Sequence, residues 1–133
     1  MTSHFVDSSV FLFAVGIDDP RRDPARQFLE MAEAAGEAIH VSVEAVQEFA
    51  FHRLRRVDRT TALTETASMT ESVVLHPFDL AVMDGMLRLL ATTTTRGRDA
   101  VHAATALAAG FTTIVSFDAD FDAVPGLRRL HPQ

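Results

Sequence analysis

TIVSFDADFD, residues 113–122, predicts one buried strand that runs directly into a group of carboxylates. Residues 113–116 are β-branched or small and follow Gly110, a composition that favours a strand covered on both faces. Asp118 and Asp120 come just after the carboxyl end of this strand, the edge where open α/β sheets bind ligands. A single aspartate after a strand is more often part of a turn, so only several acids that meet at this edge would favour chemistry.

The composition is that of a compact protein from a reducing compartment. The 133 residues are 47% hydrophobic and contain no linker-like run, which predicts a single domain, residues 1–133, around one core. Cysteine is absent, and this excludes disulfides, thiol nucleophiles and cysteine-based zinc sites. The first residues have no basic start, and no run approaches the roughly 20 apolar residues of a membrane span. We therefore expect a cytoplasmic protein with no membrane partner.

The charge pattern limits how this chain could hold a nucleic acid. The formal net charge is −6, and all 12 basic residues are arginines. An acidic chain binds nucleic acid poorly in general, because phosphates are repelled by its net charge. A nucleic-acid substrate would have to be held locally, by arginines near the site or by cations bound to the acids.

A second acid, Asp7, ends an apolar run in the same way as Asp118. Residues 4–7 predict a short strand, and Ser8 or Ser9 could cap the helix that follows by accepting backbone hydrogen bonds. Asp7 is therefore expected at the carboxyl end of that strand. The helix dipole alone also favours an acid at such a position, so Asp7 by itself does not indicate a site.

The rest of the chain alternates between strand and helix patterns. Further strands are predicted over residues 39–42, 73–76 and 127–130, and further helices over 23–35, 43–56, 58–72, 79–91 and 96–109. The buried face of the helix over 43–56 is expected to contain Val43, Val46, Ala50 and Leu54. The core stripe of the helix over 79–91 is expected to contain Met83, Met86, Leu87 and Leu90.

Two of these helices carry further candidate acids near their starts. Glu48 lies about one turn into the helix over 43–56 and shares a face with Glu44, a position where most glutamates are simply exposed. Asp99 lies in the first turn of the helix over 96–109. His102 follows Asp99 on the same helix and is expected to pack or to support the site, not to bind metal.

The predicted order β-α-α-β-α-α-β-α-α-β, with short connections, indicates a mainly parallel sheet flanked by helices. Such a sheet brings together at one edge Asp7, Asp99, Asp118 and Asp120, with Glu48 as a further candidate. Carboxylates this close, with no lysine among them, stay ionised together only if cations share the site. Oxygen ligands suit Mg²⁺ or Mn²⁺, and these ions suit the hydrolysis of phosphodiesters.

Four segments together carry a resemblance to a known family. They are FVDSSVFL (5–12), VSVEAVQEF (41–49), RDAVHAATALAAG (98–110) and IVSFDADFDAVPGLRRLHP (114–132). In this order and spacing they resemble the PIN-domain ribonucleases, and most closely the VapC toxins of bacterial toxin-antitoxin pairs. The resemblance implies an α/β fold, a PIN-like three-layer α/β/α sandwich whose mainly parallel sheet has four to five strands. It also implies a divalent-metal-dependent endoribonuclease.

The resemblance assigns roles to individual residues. The catalytic acids that it implies are Asp7, Glu48, Asp99 and Asp118. The same four acids are implied as ligands of Mg²⁺ or Mn²⁺, with Asp120 as an additional ligand. Supporting roles around these acids fall to Ser9, Ser116 and His102. Relatives often carry lysines on the rim of the site, and because this chain has none, contacts with RNA would fall to Arg96 and Arg98.

The resemblance also implies partners. These are an RNA substrate, a cognate antitoxin protein that lies in a groove near the acids, and a second copy of the chain in a homodimer. The apolar residues expected to offer such a groove are Phe11, Phe13, Phe49 and Phe51.

Two other classes of protein also carry acids at the edge of such a sheet. Phosphoaspartate receiver modules and haloacid-dehalogenase-type phosphatases both need a lysine beside the acids, and the chain has none. Two alternatives within the PIN fold stay open: a solitary nuclease without an antitoxin, and a scaffold that binds RNA or protein without catalysis.

Overall fold

The computed structural model describes residues 2–133, in which strands alternate with pairs of helices. The strands are β1 (Ser3–Phe5), β2 (Ala38–Ser42), β3 (Val74–His76), β4 (Thr113–Val115) and β5 (Arg128–Leu130). The helices are α1 (Ser8–Val15), α2 (Arg22–Ala34), α3 (Val43–Leu54), α4 (Arg59–Glu71), α5 (Leu80–Thr92) and α6 (Gly97–Ala108), and a 3₁₀ helix (Ala119–Ala123) follows β4. No helix within residues 2–133 is both long enough and apolar enough to cross a membrane. The order of elements predicted from the sequence is confirmed.

The strands pair in parallel in two ladders. β2 lies between β1 and β3, and β4 pairs with β5. The two ladders meet where Val6 forms a parallel bridge with Val115, and there the N–H of Asp7 donates to the carbonyl of Val115 (3.0 Å). We call this contact the β1–β4 seam. Across it the strand order is β3-β2-β1-β4-β5, which confirms the expected parallel sheet.

The seam is the point where the strand order reverses. The chain moves from β1 outward to β2 and β3, and then returns to place β4 on the other side of β1. Open α/β sheets form a crevice outside the carboxyl ends of their strands at such a switch point. Asp7 follows β1 and Asp118 lies three residues past the end of β4, so both acids stand at this crevice.

The central strands are buried on both faces, and this fixes the layers. Val6 and Val115 point into a cluster formed with α1, α2 and α3, whereas Phe5 and Ile114 point into a cluster formed with α5 and α6. Because successive side chains of a strand point to opposite faces, helices must cover the sheet on both sides. The predicted three-layer α/β/α arrangement is confirmed.

The buried face of helix α3 is centred on other residues than expected, although the predicted Val46 does pack against the core. Its buried residues are Ala45, Phe49 and Arg53, which repeat every four positions, whereas Val43 is exposed. Arg53 can lie inside because its guanidinium pairs with Glu65 of α4 (3.3 Å). The apolar pattern alone missed this, since it treats every arginine as facing solvent.

The expected core stripe of α5 is wrong at two positions. Leu87 and Leu90 are 52% and 42% exposed, and the buried residues of α5 are Val82 and Leu89. At Gly85 an added Cβ would lie 3.5 Å from the Cβ of Ala104, so α5 and α6 pack closely at small residues. This close approach turns the face around Gly85 toward α6 and leaves the two leucines outside.

Candidate active site

Asp7 is buried at the end of β1 and caps α1. Its carboxylate accepts a hydrogen bond from the backbone N–H of Ser9 (3.4 Å), so Asp7 itself is the N-cap and the expected cap by Ser8 or Ser9 is wrong. An aspartate serves this role as well as a serine does, because its oxygen also satisfies a free N–H of the first turn. The cap fixes the direction in which the carboxylate points.

The buried hydroxyl of Ser116 connects Asp7 with Asp118. It donates to Oδ2 of Asp7 (2.9 Å) and accepts from the backbone N–H of Asp118 (2.9 Å). Ser9 makes longer contacts, 3.5 Å from its Oγ to that of Ser116 and 3.4 Å to the N–H of Phe117. Both serines therefore lie where a supporting role was expected, and Ser116 is the more tightly bound of the two.

Three carboxylates meet beside this serine. Asp99, Asp118 and Asp120 each place one oxygen within 4.8 Å of the others, and we call them the acid cluster. Asp99 comes from the first turn of α6, and Asp118 caps the 3₁₀ helix by accepting from the N–H of Asp120 (2.9 Å). Within residues 2–133 the group at this spacing consists of these three, and Asp7 and Glu48 lie outside it.

The electrostatics of the acid cluster favour a cation. The pKa of Asp99 is raised to about 7, chiefly by burial and then by the nearby Asp118 and Asp7, while His102 acts in the opposite direction. A divalent ion would relieve the repulsion among these carboxylates. The donors are all oxygens, without a thiol or a pair of histidines, and this set suits a hard ion such as Mg²⁺ or Mn²⁺. The residues present therefore fit the metal that the sequence implied.

Glu48 reaches this region through His102. The imidazole Nε2 is hydrogen bonded to the Glu48 carboxylate and lies 3.9 Å from Oδ1 of Asp7, and Nδ1 is hydrogen bonded to Ser42 (2.7 Å). Glu48 is thus held on the Asp7 side of the crevice, next to the acid cluster but not in it. His102 contacts the acids Glu48 and Asp7 on two elements, and its supporting role stays a prediction.

The imidazole of His102 also contributes charge. Burial lowers the pKa of His102, but the hydrogen bond to Glu48 and the negative charges of Asp7, Glu48 and Asp99 outweigh burial, and the net shift is upward. The upward shift favours the imidazolium form, which would place a positive charge among acids that have no lysine beside them.

Ser42 is a site residue that the sequence analysis missed. Its buried hydroxyl caps α3 by accepting from the N–H of Ala45 (3.0 Å), and the same oxygen contacts His102. A serine between a strand and a helix indicates only a cap. Nothing in the local sequence shows that a histidine 60 positions away shares this hydroxyl.

The two arginines expected to contact RNA differ in position. Both Arg96 and Arg98 are exposed at the start of α6. Arg96 lines a cleft of about 620 Å³ together with Asp120 and Asp122, and this cleft adjoins the acid cluster. Arg98 is not part of that lining.

The four phenylalanines expected to line one groove do not do so. Phe11 and Phe49 are buried and form part of a cavity of about 520 Å³ that also contains residues of α2 and α4. Phe13 packs edge-on against Phe117 (5.2 Å between ring centres) in a separate cleft. Phe51 is 51% exposed and lines neither space. The predicted groove of four rings is therefore wrong.

Comparison with known proteins identifies the family to which this chain belongs. Residues 4–127 match the PIN domain family. Ribonuclease VapC13 of Mycobacterium tuberculosis is 31% identical over 128 residues, which cover 94% of this chain and 97% of that protein. The DNA-bound VapBC structure from Salmonella typhimurium aligns with a TM-score of 0.78 at 14% identity and covers 100% of both chains. The structure of M. tuberculosis VapC20, a sarcin-ricin loop cleaving toxin, aligns with a TM-score of 0.72 at 19% identity and covers 89% of this chain and 92% of that one. The chain therefore belongs to the PIN-domain family and, within it, to the VapC ribonucleases.

Proposed function

We propose that this protein is a divalent-metal-dependent endoribonuclease that hydrolyses RNA phosphodiester bonds as the toxin of a VapBC-like type II toxin-antitoxin pair. Its residues 1–133 would act as one PIN domain. The observation that carries the proposal is the meeting of three carboxylates at the crevice, beside Asp7, in a chain whose relatives are ribonucleases. An acidic crevice of this kind would repel RNA unless a cation were bound there.

In this proposal the catalytic acids are Asp7, Glu48, Asp99 and Asp118, which would also bind the metal together with Asp120. A divalent cation, Mg²⁺ or Mn²⁺, supplies the chemistry that lowers the pKa of an attacking water and neutralises charge on the phosphate. Asp99 must lose its proton to bind a cation, and its raised pKa makes that step dependent on pH near neutrality.

The surrounding residues hold these acids in place. Ser116 fixes Asp7 relative to Asp118 through its two short hydrogen bonds. His102 holds the carboxylate of Glu48 at Nε2, and Ser42 fixes the ring of His102 at Nδ1. Supporting hydrogen bonds of this kind orient the ligands of a metal site and raise its affinity.

The test is cleavage of a circular single-stranded RNA, because a circle has no ends and only an endonuclease can open it. We expect cleavage with Mg²⁺ or Mn²⁺, none in excess EDTA, and a loss of orders of magnitude for Asp99→Asn. The matched control is Asp122→Asn, since Asp122 is also acidic but is paired with Arg129 (3.0 Å) outside the acid cluster. Cleavage that continues at the same rate in EDTA would show that the metal mechanism is wrong.

An antitoxin and a homodimer are the proposed protein partners, and the cytoplasm is the proposed location. Support for the antitoxin comes from the similarity to VapBC assemblies and from the apolar cavity lined by Phe11 and Phe49, which offers space for a hydrophobic segment. The alternative is a solitary PIN nuclease. Co-expression with the product of the adjacent upstream gene distinguishes them, because a cognate antitoxin would co-purify and suppress RNA cleavage, whereas a solitary nuclease would stay free and active.

A further inference from the structure

We propose that a cleft between α1 and the end of α3 binds a phosphate of the RNA strand on one side of the bond that is cut. The α1–α3 cleft has a volume of about 530 Å³ and is separate from both the cleft at Arg96 and the apolar cavity. The proposal rests on the ribonuclease function proposed above and adds the part of the protein that holds the substrate beyond the acids.

Ser9 places one end of the α1–α3 cleft next to the acids. Ser9 lines it, and the Ser9 hydroxyl lies 3.5 Å from that of Ser116, which in turn donates to Asp7. Leu12, Phe13 and Gly16 line the same cleft and follow Ser9 at helical spacing. The cleft therefore follows the length of α1, about 12 Å for its eight residues. An RNA strand whose scissile phosphate lies at the acids would pass Ser9 and continue along this helix.

The opposite wall of the cleft is basic. This wall is lined by His52 and Arg53 from the last turn of α3 and by Arg56, which follows the helix. Arg53 is buried and engaged with Glu65 (3.3 Å), but Arg56 is exposed and forms no ion pair with any residue from 2 to 133. The acid on the cleft, Asp19, is already paired with Arg21 (2.9 Å). Arg56 is therefore the guanidinium left to bind an anion.

The lowered pKa of His52 reflects the positive charge of this wall. Burial lowers the pKa of His52, and the charges of Arg56, Arg53 and Arg55 lower it further. Within residues 2–133, the buried Nδ1 of this ring has no hydrogen-bond partner. A phosphate in the cleft would offset the repulsion among these groups, which a neutral ligand would not do.

The floor of the cleft suits a nucleotide better than a simple anion. Phe13 and Leu12 add apolar surface to the cleft that Arg56 lines, and the guanidinium of Arg21 lies over the Phe13 ring, 4.0 Å from its centre. An acidic peptide would share the charge of RNA. RNA is favoured because Ser9, at one end of the cleft, contacts the Ser116 that holds Asp7, and a nuclease receives its substrate at those acids.

The experiment compares two neighbouring arginines. Arg56→Glu removes the proposed phosphate contact, and Arg55→Glu makes the same charge change at an exposed position that does not line the cleft. Both variants are placed in the full chain, and binding of labelled single-stranded RNA is measured in an Asp7→Asn background that prevents cleavage. We expect Arg56→Glu to weaken binding at least about tenfold, to raise KM more than it changes kcat, and to reduce the salt slope of binding by about 0.7, the value for one phosphate on a single strand.

A modified RNA locates the contact. A neutral methylphosphonate is placed at each linkage in turn on either side of the cleaved bond. At one linkage the methylphosphonate should weaken RNA binding by the wild-type protein about as much as Arg56→Ala weakens binding of unmodified RNA. The same methylphosphonate should weaken binding by the Arg56→Ala variant little further, because the residue and the phosphate form one interaction.

Three results would overturn the proposal. Equal losses in Arg55→Glu and Arg56→Glu would show a general charge effect and no site. Unchanged RNA binding by Arg56→Glu, with loss of binding to a co-expressed antitoxin, would assign the cleft to a protein partner. A lower melting temperature for Arg56→Glu than for Arg55→Glu, with normal RNA binding by Arg56→Ala, would show a structural role. RNA binding that depends on Arg56 in a wild-type chain that cleaves nothing would support the cleft and overturn the proposed ribonuclease activity instead.

Discussion

The hydroxyl of Ser116 donates to Oδ2 of Asp7 at 2.9 Å and joins residues that are 109 positions apart in the chain. The same oxygen accepts from the N–H of Asp118, also at 2.9 Å. One buried side chain thus sets the separation between the acid that follows β1 and the acid that follows β4. Both the stability of the crevice and its chemistry depend on this oxygen.

Ser116→Ala should lower the free energy of unfolding by about 1–3 kcal/mol, because it leaves the buried Oδ2 of Asp7 without this donor. It should also slow RNA cleavage, since Asp7 and Asp118 lose their common hydrogen-bond partner. Chemical denaturation and a cleavage assay measure the two effects. Ser9→Ala is the control, and its longer contacts of 3.4 and 3.5 Å predict a smaller loss in both assays. Equal losses in the two variants would contradict the special position of Ser116.

Glu48→Gln should reduce RNA cleavage by orders of magnitude while leaving the fold intact, because it removes a charge from the site and keeps the shape of the side chain. Glu44→Gln is the matched control. It makes the same change one turn earlier on α3, at a position with no hydrogen bond to His102. At saturating Mg²⁺, Glu48→Gln should cleave RNA much more slowly than Glu44→Gln. A comparable loss of cleavage in Glu44→Gln would show that the effect comes from the net charge of α3 and not from the position of Glu48 in the site.

Ser42→Ala should reduce both stability and cleavage. Loss of the α3 cap costs about 1 kcal/mol, and loss of the contact with His102 releases the ring that holds Glu48. Asp58→Ala controls for the first effect, because Asp58 caps α4 in the same way and lies far from the acids in sequence. We expect similar stability losses from the two cap changes, and a higher metal requirement for cleavage only in Ser42→Ala. Normal metal dependence in Ser42→Ala would show that Ser42 is only a cap.

The acid cluster should destabilise the metal-free protein at neutral and higher pH. The pKa of Asp99 is raised from 3.8 to about 7, so the folded protein holds this proton more tightly than the unfolded chain does. The resulting stabilisation is present at low pH and is lost as the pH rises through about 7. In EDTA at pH above this value, Asp99→Asn should melt at a higher temperature than the wild type, and the difference should shrink toward low pH.

Metal should reverse the order of the two proteins. A ligand that binds only the folded state adds about 2.7 kcal/mol at a hundredfold excess over Kd, and Asp99→Asn should gain less because it lacks one carboxylate. Thermal melts over a titration of Mg²⁺ or Mn²⁺ measure both effects. A wild-type melting temperature that responds to neither metal, with no advantage for Asp99→Asn in EDTA, would show that these acids do not form a metal site.

Phe51→Glu should weaken association with an antitoxin or a second copy while leaving the melting temperature nearly unchanged, because Phe51 is 51% exposed. Phe49→Glu is the contrasting variant, since Phe49 is 1% exposed and its replacement should unfold the chain. Sedimentation velocity and co-purification measure association, and thermal melts measure folding. If Phe51→Glu lost stability and association together, Phe51 would be part of the packed interior.

The sequence predicted the order of elements well because strands and caps are local signals. Short β-branched runs that end in an acid mark β1 and β4, and the spacing between them leaves room for pairs of helices. Helix faces were predicted less well, because they depend on partners far along the chain. Arg53 is buried because it pairs with Glu65 of α4, and α5 approaches α6 closely because Gly85 faces the small side chain of Ala104.

The sequence indicates which acids stand at the crevice but not how their side chains are arranged. Topology alone brings acids after β1 and β4 to one edge, which local patterns can show. The separation of Asp7 and Glu48 from the acid cluster depends on side-chain hydrogen bonds through Ser116 and His102. The second role of Ser42 depends on the same histidine. Such contacts join distant parts of the chain and leave no periodic pattern in the sequence.

The β1–β4 seam would give a bound metal a mechanical role. Asp7 follows one ladder and Asp118 follows the other, and the ladders meet at the bridge of Val6 with Val115. If Asp7 binds the ion together with Asp118, as in the proposed function, the ion would hold the two ladders together, and transient opening of the seam would have to release it. The amide of Asp7, which donates to Val115, lies at this junction and would exchange its hydrogen with solvent more slowly when the ion is bound. Metal binding would then both activate the site and make the β1–β4 seam more rigid.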